Sequence, residues 1–257
     1  MVLTPIKMSI HDLDQNRFLA LEPFEAMIET NEFLPVSYLD KGLIRQRAVA
    51  RVKMGSKFAS GFLVSSSLFL TNNHVISTQG QIQNSTFEFN YQKDIHGDVQ
   101  STDSYTASED VFITSDKNDL DYTLIKLNNN PGDKWGYIQL NKNPQYKKGS
   151  FCNIIQHPDG RYKEISIQEN RLTKIFAKYI RYFTDTETGS SGSPVFNNEW
   201  DLISLHHAFG DTTQDSFGLD IYVNNEGIRI DALIEDLVTK LNNISNGESI
   251  KRELGLS

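Results

Sequence analysis

Ala48-Val-Ala-Arg-Val-Lys-Met54, followed by Gly61-Phe-Leu-Val64 and Leu68-Phe-Leu70, is the stretch from which the fold is read. Its first run alternates, the two-residue period of a strand with one face buried. The next two are short apolar runs parted by serines, as in a hairpin. The texture continues downstream. Thr86 to Tyr91 alternates, and Tyr122 to Leu127 runs into Asn128-Asn-Asn-Pro-Gly132, a strong turn signal. Phe151 to Gln156, Glu164 to Gln168, Tyr179 to Phe183, Pro194 to Phe196 and Leu202 to His206 follow. Many short strands divided by Gly, Pro, Asn and Asp clusters make an all-β barrel or sandwich.

The two ends differ. Residues 1–46 read as an N-terminal helical extension: Leu13, Phe18, Leu21, Phe24, Met27 and Ile28 recur at helical spacing, with Pro23 dividing the run, and Tyr38 to Gln46 adds a further turn or two. Its expected role is a packing arm, with an effector or regulator docking on its helices as the alternative. Residues 229–242 carry apolar side chains at 230, 233, 234, 237, 238 and 241, a one-sided helix that closes the domain spanning 47–242. Residues 243–257 read as a polar, frayed tail. A boundary between two β-halves is expected near 130–145.

A chain of 257 residues fits two packed barrels, which need about 200 to 250. Its net charge of −8 repels phosphate backbones and argues against nucleic-acid partners. The single cysteine, Cys152, forms no internal disulfide and reads as a small buried residue. Met1 to Met8 lacks an apolar leader core, and no stretch approaches the ~18 apolar residues of a membrane span. The expectation is a soluble, cytoplasmic protein with no membrane partner.

The chemistry starts at Thr188-Gly-Ser-Ser-Gly-Ser-Pro-Val-Phe196. A serine hydroxyl attacks a carbonyl only with a base beside it and a tight turn exposing its oxygen. The glycines around Ser191 permit that turn. The same turn can aim the backbone N–H groups of Gly189 and Ser191 at one point, where they would hold the oxyanion of a tetrahedral intermediate. Alone, a Gly/Ser turn is a weak signal. Phe69-Leu-Thr-Asn-Asn-His-Val-Ile76 supplies a strand-end histidine, His74, whose ring can take and return a proton near neutral pH. Asp119-Leu-Asp-Tyr-Thr-Leu-Ile-Lys-Leu127 supplies Asp121, abutting a strand and able to orient that ring; Asp119 and Asp116 are rivals on the same loop. The chain order is His, Asp, Ser.

Leu70-Thr-Asn-Asn-His-Val75, Asp121-Tyr-Thr-Leu-Ile-Lys-Leu127 and Gly189-Ser-Ser-Gly-Ser-Pro194 resemble the three signature blocks of the bacterial trypsin-like peptidases, nearest the glutamyl endopeptidase and exfoliative toxin branch. The resemblance implies a chymotrypsin-like fold of two six-stranded antiparallel β-barrels, with His74, Asp121 and Ser191 in the cleft between them. It implies a serine endopeptidase that cuts protein or peptide substrates through an acyl-enzyme, with no metal or cofactor. Asn31 to Gly42 is similar to segments preceding such domains in bacterial conflict and defence proteins, which implies cleavage of a partner protein. Where classical trypsins carry an aspartate before the nucleophile, this chain has Ser190, and no activation site of the Arg-Ile-Val-Gly type is evident. Activation by a newly cut N-terminal amine is therefore not expected.

The same resemblance assigns the S1 pocket. Glutamyl endopeptidases carry a threonine five residues before the nucleophile and a histidine fifteen after it, here Thr186 and His206. That implies cleavage after Glu, or Asp. Asp185 objects: trypsins keep the aspartate that binds Arg or Lys six residues before the nucleophile, and a carboxylate there would repel an acidic side chain unless Arg181 or Lys178 neutralised it or it turned away. A basic P1 preference and a catalytically silent peptide-binding module are the alternatives. His207 falls on the opposite strand face by simple alternation, His157 in a turn, and His11 and His96 have no evident partner; no pair has zinc-ligand spacing.

Overall fold

A computed structural model of the protein describes residues 33–214 and 220–257. The chain divides into two compact units, residues 1–35 and 36–257. Of the first, only Phe33, Leu34 and Pro35 are described, in neither helix nor strand. The helices expected between Asp12 and Thr30 lie outside the described residues.

Within the second unit, seven strands make one antiparallel sheet: β1 Val49–Met54, β2 Lys57–Leu63, β3 Leu68–Thr71, β4 Ser85–Phe89, β5 Asp103–Tyr105, β6 Ala107–Ser115 and β7 Tyr122–Leu127, in the order β5-β4-β1-β2-β3-β7-β6. Seven more make the other: β8 Asn153–Gln156, β9 Glu164–Ser166, β10 Leu172–Ile175, β11 Tyr179–Tyr182, β12 Pro194–Phe196, β13 Leu202–Phe209 and, after a two-stranded ribbon of β14 Thr212–Gln214 and β15 Asp220–Tyr222, β16 Asn225–Arg229. Their order is β10-β11-β16-β13-β12-β8-β9. This is the two-sheet, all-antiparallel arrangement the resemblance implied. Each sheet counts seven strands rather than six because three-residue edge strands, β5 and β9, join the pairing.

The hairpin read from the sequence pairs Phe62 with Leu70 and Leu63 with Phe69, and β1 joins it as a further hairpin strand, Val49 opposite Phe62 and Met54 opposite Lys57 across Gly55 and Ser56. Gly55 sits at φ 61°, a left-handed conformation that glycine adopts without a Cβ penalty. Phe62, Phe69, Phe87 and Phe89 fill the space behind it, with the Phe69 and Phe87 rings edge to face at 5.0 Å. The second sheet packs its own cluster of Ile154, Leu172, Ile180, Tyr182, Val195 and Ile203. Cys152 belongs to it, and burial pushes its thiol up to about 12, so it behaves as a small apolar side chain.

Helices brace the sheets. In α1, Ser37–Arg45, the Tyr38 hydroxyl donates to Asn153 Oδ1 at 2.7 Å and Gly42 lies so close to the Trp200 ring that a Cβ would come within 2.6 Å of it. Short helices α2, Gln79–Ile82, and α3, Gly132–Trp135, sit in the first half. Along α4, Ile230–Leu241, the residues Ile230, Leu233, Ile234, Leu237 and Leu241 are buried as the periodicity required. The tail is not frayed. It forms α5, Gly247–Glu253, and buries Ile250, Leu254 and Leu256, while Glu253 Oε1 accepts from the hydroxyls of Ser65 at 2.6 Å and Ser67 at 2.7 Å. Polar composition concealed three well-spaced apolar anchors. Among the described residues no helix is long and apolar enough to cross a membrane.

Candidate active site

His74 stands in the turn after β3, which closes through Val75 N–H and Ile76 N–H donating to Asn72 O at 3.3 and 3.1 Å. The Asn72 side chain donates to the Asp121 carbonyl at 2.8 Å, so this turn and the loop before β7 are tied together. The Asp121 carboxylate then meets the histidine twice. Oδ1 accepts from His74 N–H at 2.9 Å, and Oδ2 lies 2.7 Å from His74 Nδ1. An ionised carboxylate only accepts, so Nδ1 carries a proton, and in the neutral ring Nε2 is the nitrogen with the lone pair. Asp121 holds this aim from a left-handed backbone, φ 37°, an uncommon state for a residue with a Cβ. Burial pushes its carboxyl up, but hydrogen bonds from His207 and His74 outweigh that and hold it below the usual carboxylate range. Of the three aspartates on this loop only Asp121 reaches His74. Asp116 accepts from Asn118 and Asp119 pairs with Lys178.

Ser191 sits between Gly189 at φ 98° and Gly192 at φ 87°. Neither glycine tolerates a side chain: a Cβ on Gly189 would lie 2.7 Å from His157 O, and one on Gly192 2.0 Å from Ser60 O. The turn is pinned from both sides. Ser60 N–H donates to Ser191 O at 2.8 Å and Gly192 N–H to His206 O at 2.9 Å. The peptides flanking Gly189 are each anchored. Asp159 N–H donates to Thr188 O, and the Ser60 hydroxyl donates to Gly189 O at 2.8 Å while accepting from His157 N–H at 2.9 Å. In a planar trans peptide the N–H points opposite the C=O, so turning Thr188 O toward Asp159 turns Gly189 N–H away from it. Among the described residues, neither Gly189 N–H nor Ser191 N–H donates a hydrogen bond. Ser190 Oγ is used inside its own loop, accepting from Glu187 N–H at 3.1 Å.

The residues assigned to S1 are distributed as follows. His206 is buried, with Nδ1 2.9 Å from the Tyr182 hydroxyl. Burial pushes its imidazole down to about 3, and the nearby rings of His207 and His74 act the same way, so it is neutral at ordinary pH. The Thr186 hydroxyl donates to Asn225 Oδ1 at 2.8 Å, and the Asn225 amide nitrogen donates to Thr184 O at 2.7 Å, which fixes the amide's orientation. Asp185 is exposed, and its backbone carbonyl, not its carboxylate, bonds inward to Gln156 Nε2 at 2.9 Å. Neither cation weighed as its partner meets it: Arg181 pairs with Glu226 and Asp211, and Lys178 with Asp119. A cleft of about 430 Å³ opens beside His74, lined by Met54, Lys57, Val75, Thr78 and Gln81 among others.

His207 was missed. Alternation along β13 gives it no role, but β13 shifts register against β16 between His206 and Ala208, a bulge at this very residue. Bulges re-aim side chains and leave no mark in a hydropathy pattern. His207 Nδ1 lies 3.1 Å from Asp121 Oδ2 and Nε2 3.1 Å from Glu226 Oε1. His157 is a turn residue as expected, wholly buried, its Nδ1 donating to Arg161 O at 3.0 Å, and burial lowers its pKa to about 3. His96 is exposed on a loop, and His11 lies outside the described residues.

Residues 59–205 match the family described as "Trypsin-like peptidase domain". The chain is 30% identical over 280 aligned residues to Uncharacterized protein y4fB of Sinorhizobium fredii, which covers 92% of this chain and 42% of that protein. It thus spans less than half the length of this relative. It is 22% identical over 204 residues to Exfoliative toxin A of Staphylococcus aureus, covering 76% of this chain and 72% of the toxin. The structure of a Glu endopeptidase in complex with MPD is alike in fold, with a TM-score of 0.56 at 17% identity over 77% of this chain and 92% of that one.

Proposed function

The chain belongs to the trypsin-like peptidase family, and from that premise we propose that it is a serine endopeptidase in which His74, Asp121 and Ser191 act together. The observation that carries the reading is the double grip of Asp121 on His74, 2.9 Å to the backbone N–H and 2.7 Å to Nδ1. That grip keeps the proton of the neutral ring on Nδ1, so that Nε2 is the nitrogen able to serve as general base. The base takes the Ser191 proton as the hydroxyl attacks the scissile carbonyl. The carbonyl π electrons move onto oxygen, and the N–H groups of Gly189 and Ser191 receive that charge. The imidazolium then protonates the departing amine, leaving an acyl-enzyme that water hydrolyses by the reverse sequence.

The Ser190 hydroxyl satisfies Glu187 N–H within the loop, and the Ser60 and Asp159 contacts hold the Gly189 peptides. These bonds need no incoming N-terminal amine, which supports the expectation that zymogen-type cleavage is not the trigger. An acidic P1 residue is the preferred substrate. The buried Tyr182 hydroxyl occupies His206 Nδ1 at 2.9 Å; in the tautomer in which that hydroxyl donates, Nε2 carries the proton and can donate to a carboxylate. The exposure of Asp185 removes the repulsion that would favour a basic residue. The Thr186 proton is already committed to Asn225, so His206 is the principal donor and Thr186 contributes only if its hydroxyl rotates. Cleavage of a partner protein in a conflict setting is the corresponding biological proposal.

The test is labelling by a fluorophosphonate probe together with turnover of peptides differing only at P1. Labelling located at Ser191, lost in Ser191→Ala, with cleavage after Glu, supports the reading. A folded protein that neither labels nor cleaves any peptide of the panel refutes it in favour of a peptide-binding module.

A further inference from the structure

We propose that His207 is a positively charged positioning residue that ties the candidate triad to the second sheet and sets the basicity of His74. The inference rests on the reading of His74 and Asp121 as base and orienting carboxylate.

The argument begins with donors and acceptors. His207 is the bulged residue of β13, and each ring nitrogen faces a carboxylate oxygen at 3.1 Å, Asp121 Oδ2 on one side and Glu226 Oε1 on the other. A neutral imidazole has one N–H, so it would set a bare lone pair against one of those oxygens. Protonating a carboxylate instead is disfavoured at both ends. Asp121 already accepts from His74 N–H and His74 Nδ1, and Glu226 is ion-paired with Arg181 Nε at 2.8 Å. The arrangement in which every contact is attractive is an imidazolium between two anions. The energetics agree in direction: burial pushes His207 down, but its bonds to Asp121 and Glu226 outweigh this and raise it above the ordinary histidine value.

The other groups around it do not alter that assignment. On β13 itself His206 is neutral, on β11 Arg181 is engaged by Glu226 and Asp211, and from the turn after β3 His74 approaches the same carboxylate. Asp121 is 2% exposed and the His207 side chain 13%, so solvent screens this pair little.

Two consequences follow for His74. Asp121 Oδ2 is shared between two rings and Oδ1 is held by a backbone N–H, so the carboxylate has no free rotation left. The anion that would stabilise a protonated His74 is also partly neutralised by His207. Without that cation His74 would be a stronger base and would stay protonated, and idle, to higher pH. A charge of either sign a few ångströms away in a partly buried site shifts a titration by about one pH unit or more.

The experiment follows the imidazole nitrogens by ¹⁵N NMR against pH in the full chain, for wild type, His207→Gln and Glu226→Gln. At pH 7 both His207 nitrogens should be protonated. In His207→Gln the His74 midpoint should rise by about one unit or more. In Glu226→Gln, which keeps the ring but removes one anion, the His207 midpoint should fall. The acid limb of kcat/KM should move up with His74 in His207→Gln, a shift that mere loss of packing would not produce. A single protonated nitrogen on wild-type His207, or an unmoved His74 midpoint in a folded His207→Gln, overturns the proposal. Because the NMR readout needs no turnover, a wild-type protein without peptidase activity would defeat the proposed function while the charge assignment was still decided.

Discussion

Replacing Ser60 by alanine should separate holding the fold together from holding the proposed oxyanion site together. The hydroxyl is one of two anchors on the Gly189 peptides: it donates to Gly189 O at 2.8 Å and accepts from His157 N–H at 2.9 Å. Ser60 and His157 are both wholly buried. Removing the oxygen therefore orphans a carbonyl and an N–H that water cannot easily reach. Each orphaned buried group costs about 1–3 kcal/mol, so the pair costs about 2–6 kcal/mol unless the loop relaxes. For a domain of this size that is a fall in Tm of about 5–25 °C. Activity should suffer separately. With its carbonyl released, the peptide after Gly189 can turn and carry the preceding N–H off line. Complete loss of an oxyanion donor costs about 100- to 1000-fold in rate, and partial misalignment should cost kcat about tenfold or more with KM little changed. The assay is thermal unfolding alongside kcat and KM on a Glu-P1 peptide, with Tyr38→Phe as control. That variant deletes another buried bond, to Asn153 at 2.7 Å, far from the nucleophile in the chain. If Ser60→Ala kept wild-type Tm, or lost no more kcat than Tyr38→Phe, the latch argument would be wrong.

Four further outcomes are expected. Asp121→Asn should lower kcat by several orders of magnitude while leaving fluorophosphonate labelling slow but measurable, since an amide no longer holds His74 in the working tautomer. His206→Gln should reduce kcat/KM for Glu at P1 more than Thr186→Val does, and Asp185→Asn should change neither Glu nor Lys cleavage by more than about twofold, because that carboxylate is exposed; a P1 panel reads all three. Deleting residues after 242 removes the buried Ile250, Leu254 and Leu256, worth about 1.5–3 kcal/mol each, and should leave a chain that unfolds in far less urea. Burial lowers the Lys163 ammonium from 10.5 to about 7, so the unfolded chain binds more protons between those values and stability should climb with pH across that window; Lys163→Met should flatten the climb in pH-dependent denaturation.

What the sequence made legible was what repeats or what chemistry restricts. Alternation found the strands, the apolar spacing of 230–241 found α4, and glycines on either side of Ser191 marked a turn whose two positive φ angles now explain them. What stayed hidden depended on single irregularities. The bulge at His207 is one residue of slipped pairing, invisible to any periodic rule, yet it brings an imidazole to Asp121. Asp121 was preferred over Asp116 and Asp119 for abutting β7, and it is the one of the three that reaches His74, but the left-handed backbone from which it does so left no mark in the sequence. Asp185 misled for a related reason: position suggested a pocket, while the backbone carbonyl, bonded to Gln156, is what faces inward.

These irregularities share a location, and that has a physical reason. The proposed base and its carboxylate come from the first sheet, and the proposed nucleophile from the turn before β12 in the second. A reaction needing sub-ångström alignment cannot rely on two sheets that merely pack. The contacts across the gap are accordingly polar and directional. Arg51 of β1 pairs with Glu88 at 2.7 Å, stacks on Tyr91 and donates to Gly160 O at 2.6 Å. Gly160 and Asp159 belong to the same tight turn, both at positive φ, and that turn supplies the N–H groups that hold Thr188 O and the Ser60 hydroxyl. A guanidinium on the first sheet is thereby connected, through one strained turn, to the peptides flanking Gly189, two residues before Ser191. Arg51→Lys keeps the charge but loses the planar fork that reaches carboxylate and carbonyl together. If the turn is what transmits alignment, that substitution should lower kcat about as much as Ser60→Ala does, with Ser60→Ala adding little on top of it in the double variant. Full additivity of the two would show that Arg51 only stabilises the first sheet.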